Sequence, residues 1–598
     1  MIEPYSVAAI QTRIRHVRKG ANQQKTIKEN LFRSIAIIDY AAVRFGAAKL
    51  VVLPEFWLTG ADHGRSVQDW TEVAPQVPGW ETDALSEVCQ EQKFYLAAAT
   101  MEYDPTWPDR WFNCAFIIGP NGDIILKYRK HNCGNLSGVL NNTTPGDMYD
   151  AYVDRYGEES LFPVVDTPIG RLACMVCFDI NFGETARMLA IRGAEIICHP
   201  TGEPHGPHRP SWEMARRTRA FENGVYLISA NHGEYLAPVD DDHFMDSPDW
   251  MFQERRRVET APPFRTAGGS EIVDFRGHVI GRAEGPGEAA ITAEVNINAL
   301  RRGRVQHVTP SRANAFAAEY EQAKACPLNV FLKKPMQDRR EGPQTMRATI
   351  KNFVERSIFK TPDDSLEPYT LSVLQTDVQS LDLAQEAVVH HGARLIVLPA
   401  DLTRLASSVP DTFTEFAAQH RVYLAGATAN TAFIVDDSGD VVLEYRRDDG
   451  TFPVVETPYG KLAVVVADDV NVLELSRILA LKGAEIVLHP THEPYSAETE
   501  SVEQARRTRA YENMVYWASA NIASRGWSEV VNLDGKILAV ADGPGEAVLS
   551  AAIDLQYLRW HKTRPYFNFL MHLRTDLYAP SYRRFGQVES TTSELVQV

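Results

Sequence analysis

A chain of 598 residues, 44% apolar and 23% charged, has the length and composition of a globular protein of roughly two to four domains. Its net charge of −17 argues against nucleic acid or an anionic membrane surface as partner. No apolar run is long enough to span a bilayer, which argues against a membrane protein of the helical kind.

The chain opens on MIEPYSVAAIQTRIRH, a strand-like start without a signal-peptide pattern. A helix is expected over Asn30–Phe45. KLVVLP (49–54) reads as a strand that delivers Glu55 at its C-terminal end. FYLAAAT (94–100) and CAFIIG (114–119) read as further strands, and IILKYR (124–129) ends just before Lys130. RLACMVC (171–177) leads into Cys177, after which a turn gives way to a helix over Glu184–Arg192. Gly193 follows, where a helix C-terminus favours glycine. EIICHP (195–200) and a helix over Ser211–Asn223 come next. Continuous apolar runs of about 5–6 residues read as central strands covered on both faces, so the class is α/β.

The seven cysteines are Cys89, Cys114, Cys133, Cys174, Cys177, Cys198 and Cys326. Their odd number and irregular spacing predict reduced thiols and a cytoplasmic location. Cys174 and Cys177 form a C-x-x-C pair, but no second such pair completes a zinc site, and in a strand the two would face opposite ways.

Two segments of the chain are copies of one another. GEESLFPVVDTPIGRLACMVCFDINFGE (157–184) returns as DGTFPVVETPYGKLAVVVADDVNVLE (449–474), and ARRTRAFENGVYLISAN (215–231) as ARRTRAYENMVYWASAN (505–521). A constant offset of 290 sets Cys177 against Ala467. KLVVLPEF (49–56) matches RLIVLPAD (394–401), so Glu55 faces Ala400. DIILKYRKHN (123–132) matches DVVLEYRRDD (440–449), so Lys130 faces Arg447. A carboxylate, an amine and a thiol, each at the end of an apolar run, are lost together while the apolar residues around them persist. Each has a plain structural reading alone: Glu55 as a helix N-terminal acid, Lys130 as a solvated lysine, Cys177 as a buried thiol. Lost jointly, they mark the first copy as the one with chemistry. Groups at the same edge of one sheet can converge in one crevice, and a nucleophile at a strand-to-helix turn sits near free backbone N–H groups.

Asp179, Glu184, Arg216, Arg217 and Glu222 persist in the second copy as Asp469, Glu474, Arg506, Arg507 and Glu512, which favours scaffold roles. The second copy is shorter at three places. The extra residues of the first, including HNCGNLSGVLNNTTPGDMYDAYVDRYG and HGEYLAPVDDDHFMDSPDWMFQERRR, are expected to be loops walling a pocket.

LPEF, YRKHN and CFDINFGE together resemble the three signature segments of the nitrilase superfamily, also called the carbon–nitrogen hydrolases. The resemblance covers nearly all of residues 5–300 and, weakened, residues 369–555. It implies two tandem αββα four-layer sandwich units, packed as an intramolecular pseudo-dimer. The expected domains are a catalytic unit at 1–300, a linking or wrapping segment at 301–368, and a degenerate second unit at 369–598 with a C-terminal extension. The family triad falls on Glu55, Lys130 and Cys177. It implies hydrolysis of a non-peptide C–N bond through a cysteine thioester, with no metal and no cofactor. Glu55 would act as general base and acid, and Lys130 with the backbone N–H of Phe178 would stabilise the oxyanion.

Two departures qualify the likeness. The stretch from His131 to Gly146 carries no acid where many members hold a second glutamate, and Asn141 or Asn142 stands there instead. Cys177-Phe178-Asp179 replaces the Cys-Trp-Glu of nitrilases proper and is closer to amidases and carbamoylases. Trp57, Asn141, Glu203 and His205 are the candidates for substrate contact, and His205 with His208 lacks a partner motif for metal. The expected activity is that of an amidase on a small amide with water as co-substrate. A nitrilase, an N-carbamoyl hydrolase, or a binding and regulatory protein with a vestigial first copy are the alternatives. Nucleic acid and membrane are not expected as partners, while assembly of chains into homo-oligomers is compatible with the reading.

Overall fold

A computed structural model describes residues 1–17, 23–46, 48–60, 67–133, 142–203, 209–233, 268–304, 308–323, 367–377, 381–401, 409–428, 431–447, 449–493, 500–563 and 568–592. The chain forms two compact units. Unit 1 holds Met1–Gln306, Ala325–Arg347 and His572–Tyr578, and unit 2 holds His307–Lys324, Ala348–Met571 and Ala579–Val598.

Unit 1 contains twelve strands among its described residues: β1 (Tyr5–Gln11), β2 (Leu50–Glu55), β3 (Tyr95–Glu102), β4 (Phe112–Ile118), β5 (Ile124–Arg129), β6 (Val164–Thr167), β7 (Gly170–Cys174), β8 (Ile196–Thr201), β9 (Tyr226–Asn231), β10 (Glu271–Val273), β11 (Val279–Arg282) and β12 (Ala289–Val295). They form two six-stranded sheets, ordered β12-β1-β2-β3-β4-β5 and β11-β10-β9-β8-β7-β6. In each sheet the three middle strands run parallel, β1 with β2 and β3, and β7 with β8 and β9. The sheets face one another, with β2 against β8 and β9. Helices Gln23–Phe45 and Trp80–Gln92 lie on the first sheet, and Gly183–Ile191 and Arg209–Asn223 on the second. Both faces of the central strands are therefore covered, and every residue of LVVLPE in β2 is buried. The layers are αββα, as the resemblance implied.

Unit 2 repeats the plan. Its sheets are β17-β16-β15-β14-β13-β24 and β18-β19-β20-β21-β22-β23. Here β13 is Tyr369–Gln375, β14 Ala393–Asp401, β15 Tyr423–Thr428, β16 Thr431–Val435, β17 Val441–Arg446, β18 Val455–Thr457, β19 Gly460–Val464, β20 Ile486–Pro490, β21 Tyr516–Ala520, β22 Glu529–Val531, β23 Ile537–Val540 and β24 Ala547–Ile553. Small details recur as well. Gln11 Nε2 donates to the carbonyls of Gly285 and Gly287 at 2.7 and 2.5 Å, and Gln375 Nε2 to those of Gly543 and Gly545 at 2.9 and 2.8 Å.

Two elements differ from the sequence reading. The first helix begins at Gln23 rather than Asn30. Its buried stripe starts with Ile27 and continues through Leu31, Ser34, Ile38 and Ala41, so the first apolar position lies within a polar turn. The segment read as a pocket loop contains a helix, Tyr149–Tyr156, which packs Tyr152 inward. Eight residues are too few for apolar periodicity to declare it.

Candidate active site

β2 ends on Glu55, β5 ends one residue before Lys130, and β7 ends three residues before Cys177. All three side chains reach the same place. The Glu55 carboxylate is fully buried, and its Oε1 accepts from Lys130 Nζ at 2.8 Å and from Asn113 Nδ2 at 2.6 Å. The Cys177 thiol lies near enough to Glu55 to feel the carboxylate's charge, and Glu55 Oε2 is buried with no hydrogen-bond partner among the described residues. Burial pushes that thiol well above the ordinary cysteine range. The charges of Glu55 and Glu203 push it further, against the opposing effect of Lys130. Cys177 therefore rests as a thiol. Burial works against the charge on Lys130, yet Glu55 and then Cys177 outweigh it, and the ammonium is held above its ordinary value.

The local backbone explains the placement. Cys177 opens a short 3-10 turn, Cys177–Asn181, with φ of +46°. A non-glycine residue in the left-handed region costs about 1–2 kcal/mol, so the surroundings must impose it. They do so at three points. His199 Nε2 lies 3.0 Å from the Cys177 carbonyl, and its Nδ1 lies 2.9 Å from Ser229 Oγ. Burial, then the charge of Arg216, holds the His199 ring down to about 3, so it is neutral and serves as a fixed donor to that carbonyl. Asp179 Oδ2 accepts from Val176 N at 3.0 Å and Tyr128 OH at 2.7 Å. Asp179 Oδ1 accepts from Asn132 N at 2.9 Å, tying the nucleophile turn to the chain just after Lys130. The Phe178 amide follows Cys177 in this turn, and the Phe178 ring packs on Phe182 and Trp212.

Unit 2 keeps this frame without its reactive groups. Ala467 has φ of +50°, His489 Nε2 lies 2.7 Å from its carbonyl, and Asp469 Oδ2 accepts from Val466 N at 3.1 Å. Arg447, at the lysine position, instead donates to Asp468 and Asp469. The strain at Ala467 now serves no nucleophile. Ala467→Gly is expected to stabilise the protein by about 1 kcal/mol, a rise of about 2 °C in Tm by calorimetry. An unchanged or lower Tm would show that alanine is not strained there.

A second mark of the lost chemistry lies at Gly202. A Cβ at this position would stand 3.0 Å from Glu55 Oε2 and 3.2 Å from His232 Nε2. The counterpart in unit 2 is His492, which has only Ala400 where the glutamate would be. Because Asn113 and Lys130 fix Oε1, the carboxylate can yield only by swinging Oε2 away from the thiol. Gly202→Ala is expected to lower kcat about tenfold with little change in Tm, since small misplacements of a catalytic group cost one to two powers of ten. Turnover within twofold of wild type would remove this role.

The remaining sequence candidates separate. Trp57 is 1% exposed in the apolar cluster with Ile10, Leu31 and Leu85, so it is a core residue. Glu203 has both oxygens engaged, Oε1 by Thr201 Oγ1 at 2.9 Å and Oε2 by Arg216, and the pair recurs as Glu493 with Arg506. The pairing is part of the scaffold that both units share. Arg216 also holds Glu271, and Glu222 is paired with Arg219 rather than with Arg216 or Arg217. Asn141, His205 and His208 lie outside the described residues. Asn142 donates to Cys133 Sγ at 2.7 Å, and burial holds that thiol up to about 12. Cys174 pairs through its side chain with Cys198 on the neighbouring strand, not with Cys177, which has already left the strand. Among the described residues no group of His, Cys, Asp and Glu is arranged to hold a metal ion, and no helix is long and apolar enough to cross a membrane. Asn113, His199, Ser229 and Gly202 were not picked out from the sequence. The first three persist as Asn430, His489 and Ser519, so a comparison of copies that looks for losses passes over them.

The family model described as carbon-nitrogen hydrolase matches residues 6–305 and 413–562. Formamidases of Bacillus cereus (strain AH820) and Bacillus anthracis are 32% identical over 241 residues, which is 39% of this chain and 65% of theirs. The chain thus spans a little under two thirds of the length of these curated relatives. Among solved structures, a branch 10 member of the nitrilase superfamily from Saccharomyces cerevisiae matches at 23% identity and a TM-score of 0.38, over 50% of this chain and 93% of its own. A mutant amidase from Nesterenkonia sp. AN1, carrying the acetamide moiety of fluoroacetamide on its active-site cysteine, matches at 18% identity and a TM-score of 0.35, over 50% and 93%.

Proposed function

We propose, for a chain that belongs to the carbon–nitrogen hydrolase family, that unit 1 hydrolyses the C–N bond of a small amide through a thioester on Cys177. One observation carries the reading: Glu55, from a separate strand, accepts from Lys130 through Oε1 and keeps Oε2 unpartnered in the buried site it shares with the Cys177 thiol. That is the arrangement a proton-shuttling base, an oxyanion donor and a nucleophile require.

The steps follow from the geometry. Cys177 Sγ attacks the amide carbon as its proton passes to Glu55. The carbonyl oxygen gains the negative charge, and Lys130 and the Phe178 amide stabilise it. The C–N bond breaks as Glu55 returns the proton to the leaving nitrogen, which departs as ammonia or an amine. Glu55 then takes a proton from water, hydroxide attacks the thioester carbon, and the S–C bond breaks to give the acid and the thiol. Asn113 keeps Oε1 occupied, so Oε2 does the shuttling.

The formamidases among the relatives support a substrate at the small end of the amides, formamide first. Unit 2, without the three reactive groups, is the silent member. The six described cysteines are free thiols, which supports a reducing compartment, the cytoplasm in this proposal. Assembly into homo-oligomers belongs to the same proposal and is read by light scattering. The activity is tested by ammonia release and intact mass on a panel of small amides, N-carbamoyl compounds and nitriles. An acyl adduct and ammonia from amides, both absent in Cys177→Ala, are the expected result. Turnover of nitriles alone, or of nothing in the panel, would overturn the amide reading.

A further inference from the structure

Unit 1 includes seven residues, His572–Tyr578, that follow the second copy in the chain. Among them Tyr578 is fully buried, with its hydroxyl 2.9 Å from Asn132 Nδ2 and 2.8 Å from Thr185 Oγ1. Burial, then the charge of Glu184, holds the phenol above its ordinary value, so it stays neutral and can both donate and accept. Asn132 is two residues beyond Lys130, and its backbone N and Nδ2 both donate to Asp179 Oδ1. Thr185 is on the helix that follows the Cys177 turn. One hydroxyl therefore adds a second link between the chain that carries the amine and the helix that follows the thiol, which Asn132 Nδ2 also joins directly by donating to Thr185 Oγ1 at 3.2 Å.

The rest of the segment is fitted to the same surroundings. The Arg574 guanidinium donates to Thr144 Oγ1 at 3.0 Å and Asp147 Oδ1 at 3.3 Å, and is steadied by Asp576 at 2.9 and 3.0 Å. It lies so close over Gly146 that a Cβ there would fall 1.9 Å from a guanidinium nitrogen. The His572 ring packs on the Phe178 ring at 5.3 Å, next to the nucleophile. No described hydrogen bond or ring contact from this segment reaches Glu55, Lys130 or Cys177 directly.

We propose that Tyr578 is a positioning residue for catalysis: its hydroxyl, held in place by the Arg574 and His572 anchors, fixes Asn132 against Thr185 and so sets the spacing between the Lys130 ammonium and the Cys177 thiol. The inference rests on the reading of Cys177 as the nucleophile. Where a transition state forms across two groups, a small loss of registration lowers turnover more than it lowers binding.

Tyr578→Phe keeps the ring and removes only the hydroxyl. Measured well below Tm in the full chain, it is expected to lower kcat at least tenfold, with KM within twofold of wild type. The rate of alkylation of Cys177 by iodoacetamide, mapped by mass spectrometry, should fall in parallel. Should that variant fail to fold, Thr185→Val removes the bridge from its other end together with the direct Asn132–Thr185 bond, and kcat within twofold of wild type there would likewise overturn the proposal. Loss of Tm with kcat and Cys177 alkylation within twofold of wild type would overturn the proposal and leave Tyr578 a purely structural group. Alkylation of wild-type Cys177 no faster than that of Cys174, which is buried in β7, would overturn the nucleophile reading itself and the proposal with it.

Discussion

Replacing Cys177 by alanine is expected to abolish turnover, a fall of about ten-thousand-fold or more in kcat/KM, and to leave the fold intact. The loss is large because both covalent steps run through Sγ. The tolerance follows from the protein itself. Ala467 occupies the equivalent turn in unit 2 with φ of +50°, beside the same histidine-to-carbonyl contact, so alanine is already known to this backbone. Removing the thiol leaves the Glu55 bonds from Lys130 and Asn113 in place. Ammonia release and circular dichroism on the same sample check both halves. Residual turnover within a hundredfold of wild type would show that another group attacks.

Glu55→Gln is expected to be nearly as damaging to turnover and far more damaging to the fold. Loss of a general acid–base lowers rate by about 100- to 10,000-fold, and here the same carboxylate serves acylation and deacylation. Gln cannot neutralise Lys130, which is left buried with its charge unmatched at a cost of about 3–5 kcal/mol. The pH dependence separates the two effects. In wild type the Lys130 value is raised above 10.5 despite burial, because Glu55 and Cys177 favour the charge. That stabilisation is present below pH 10.5 and is lost as pH rises through the folded value. In the variant burial prevails, the folded value drops below 10.5, and the native state binds fewer protons than the unfolded one. Its stability should therefore rise as pH increases towards 10.5. Urea midpoints at pH 7 and pH 9.5 read the sign: a variant whose midpoint falls over that interval would mean Lys130 keeps its charge by other means.

Much of the fold was legible because the central strands are covered on both faces. KLVVLP, FYLAAAT and EIICHP are apolar at most positions, and each became a strand within one or two residues of its expected bounds. The convergence of Glu55, Lys130 and Cys177 was legible because a duplicated scaffold shows which groups were dropped, and the three stood at strand ends. What stayed hidden was hidden for two reasons. Asn113, His199 and Ser229 persist in the second copy's sequence, and the histidine–serine pair holds the same backbone carbonyl in both units whether or not chemistry follows. Gly202 did leave a trace, a residue with no side chain facing a histidine in the other copy, but the trace means something only once Glu55 Oε2 is seen beside it. Tyr578 and Arg574 left a coarse one: RWHKTRPYFNFLMHLRTDLYAP (559–580) reads as an amphipathic extension with aromatics that docks onto copy one or another chain, but nothing local states that its phenol meets Asn132, 446 positions earlier in the chain.

That separation along the chain has a consequence in time. Tyr578 is added to the growing polypeptide about 400 residues after Cys177, roughly 20–80 s later at ordinary rates of synthesis. During that interval Glu55, Lys130 and Cys177 are all present on the ribosome, with room to fold as a unit, while the hydroxyl that registers them has not been made. The nascent protein thus carries a complete set of reactive groups with their alignment incomplete, and hydrolysis reaches its full rate only after the silent copy has been translated. A messenger that terminates inside copy two would yield a protein with the right residues and poor turnover, so catalytic output reports that translation has passed residue 578.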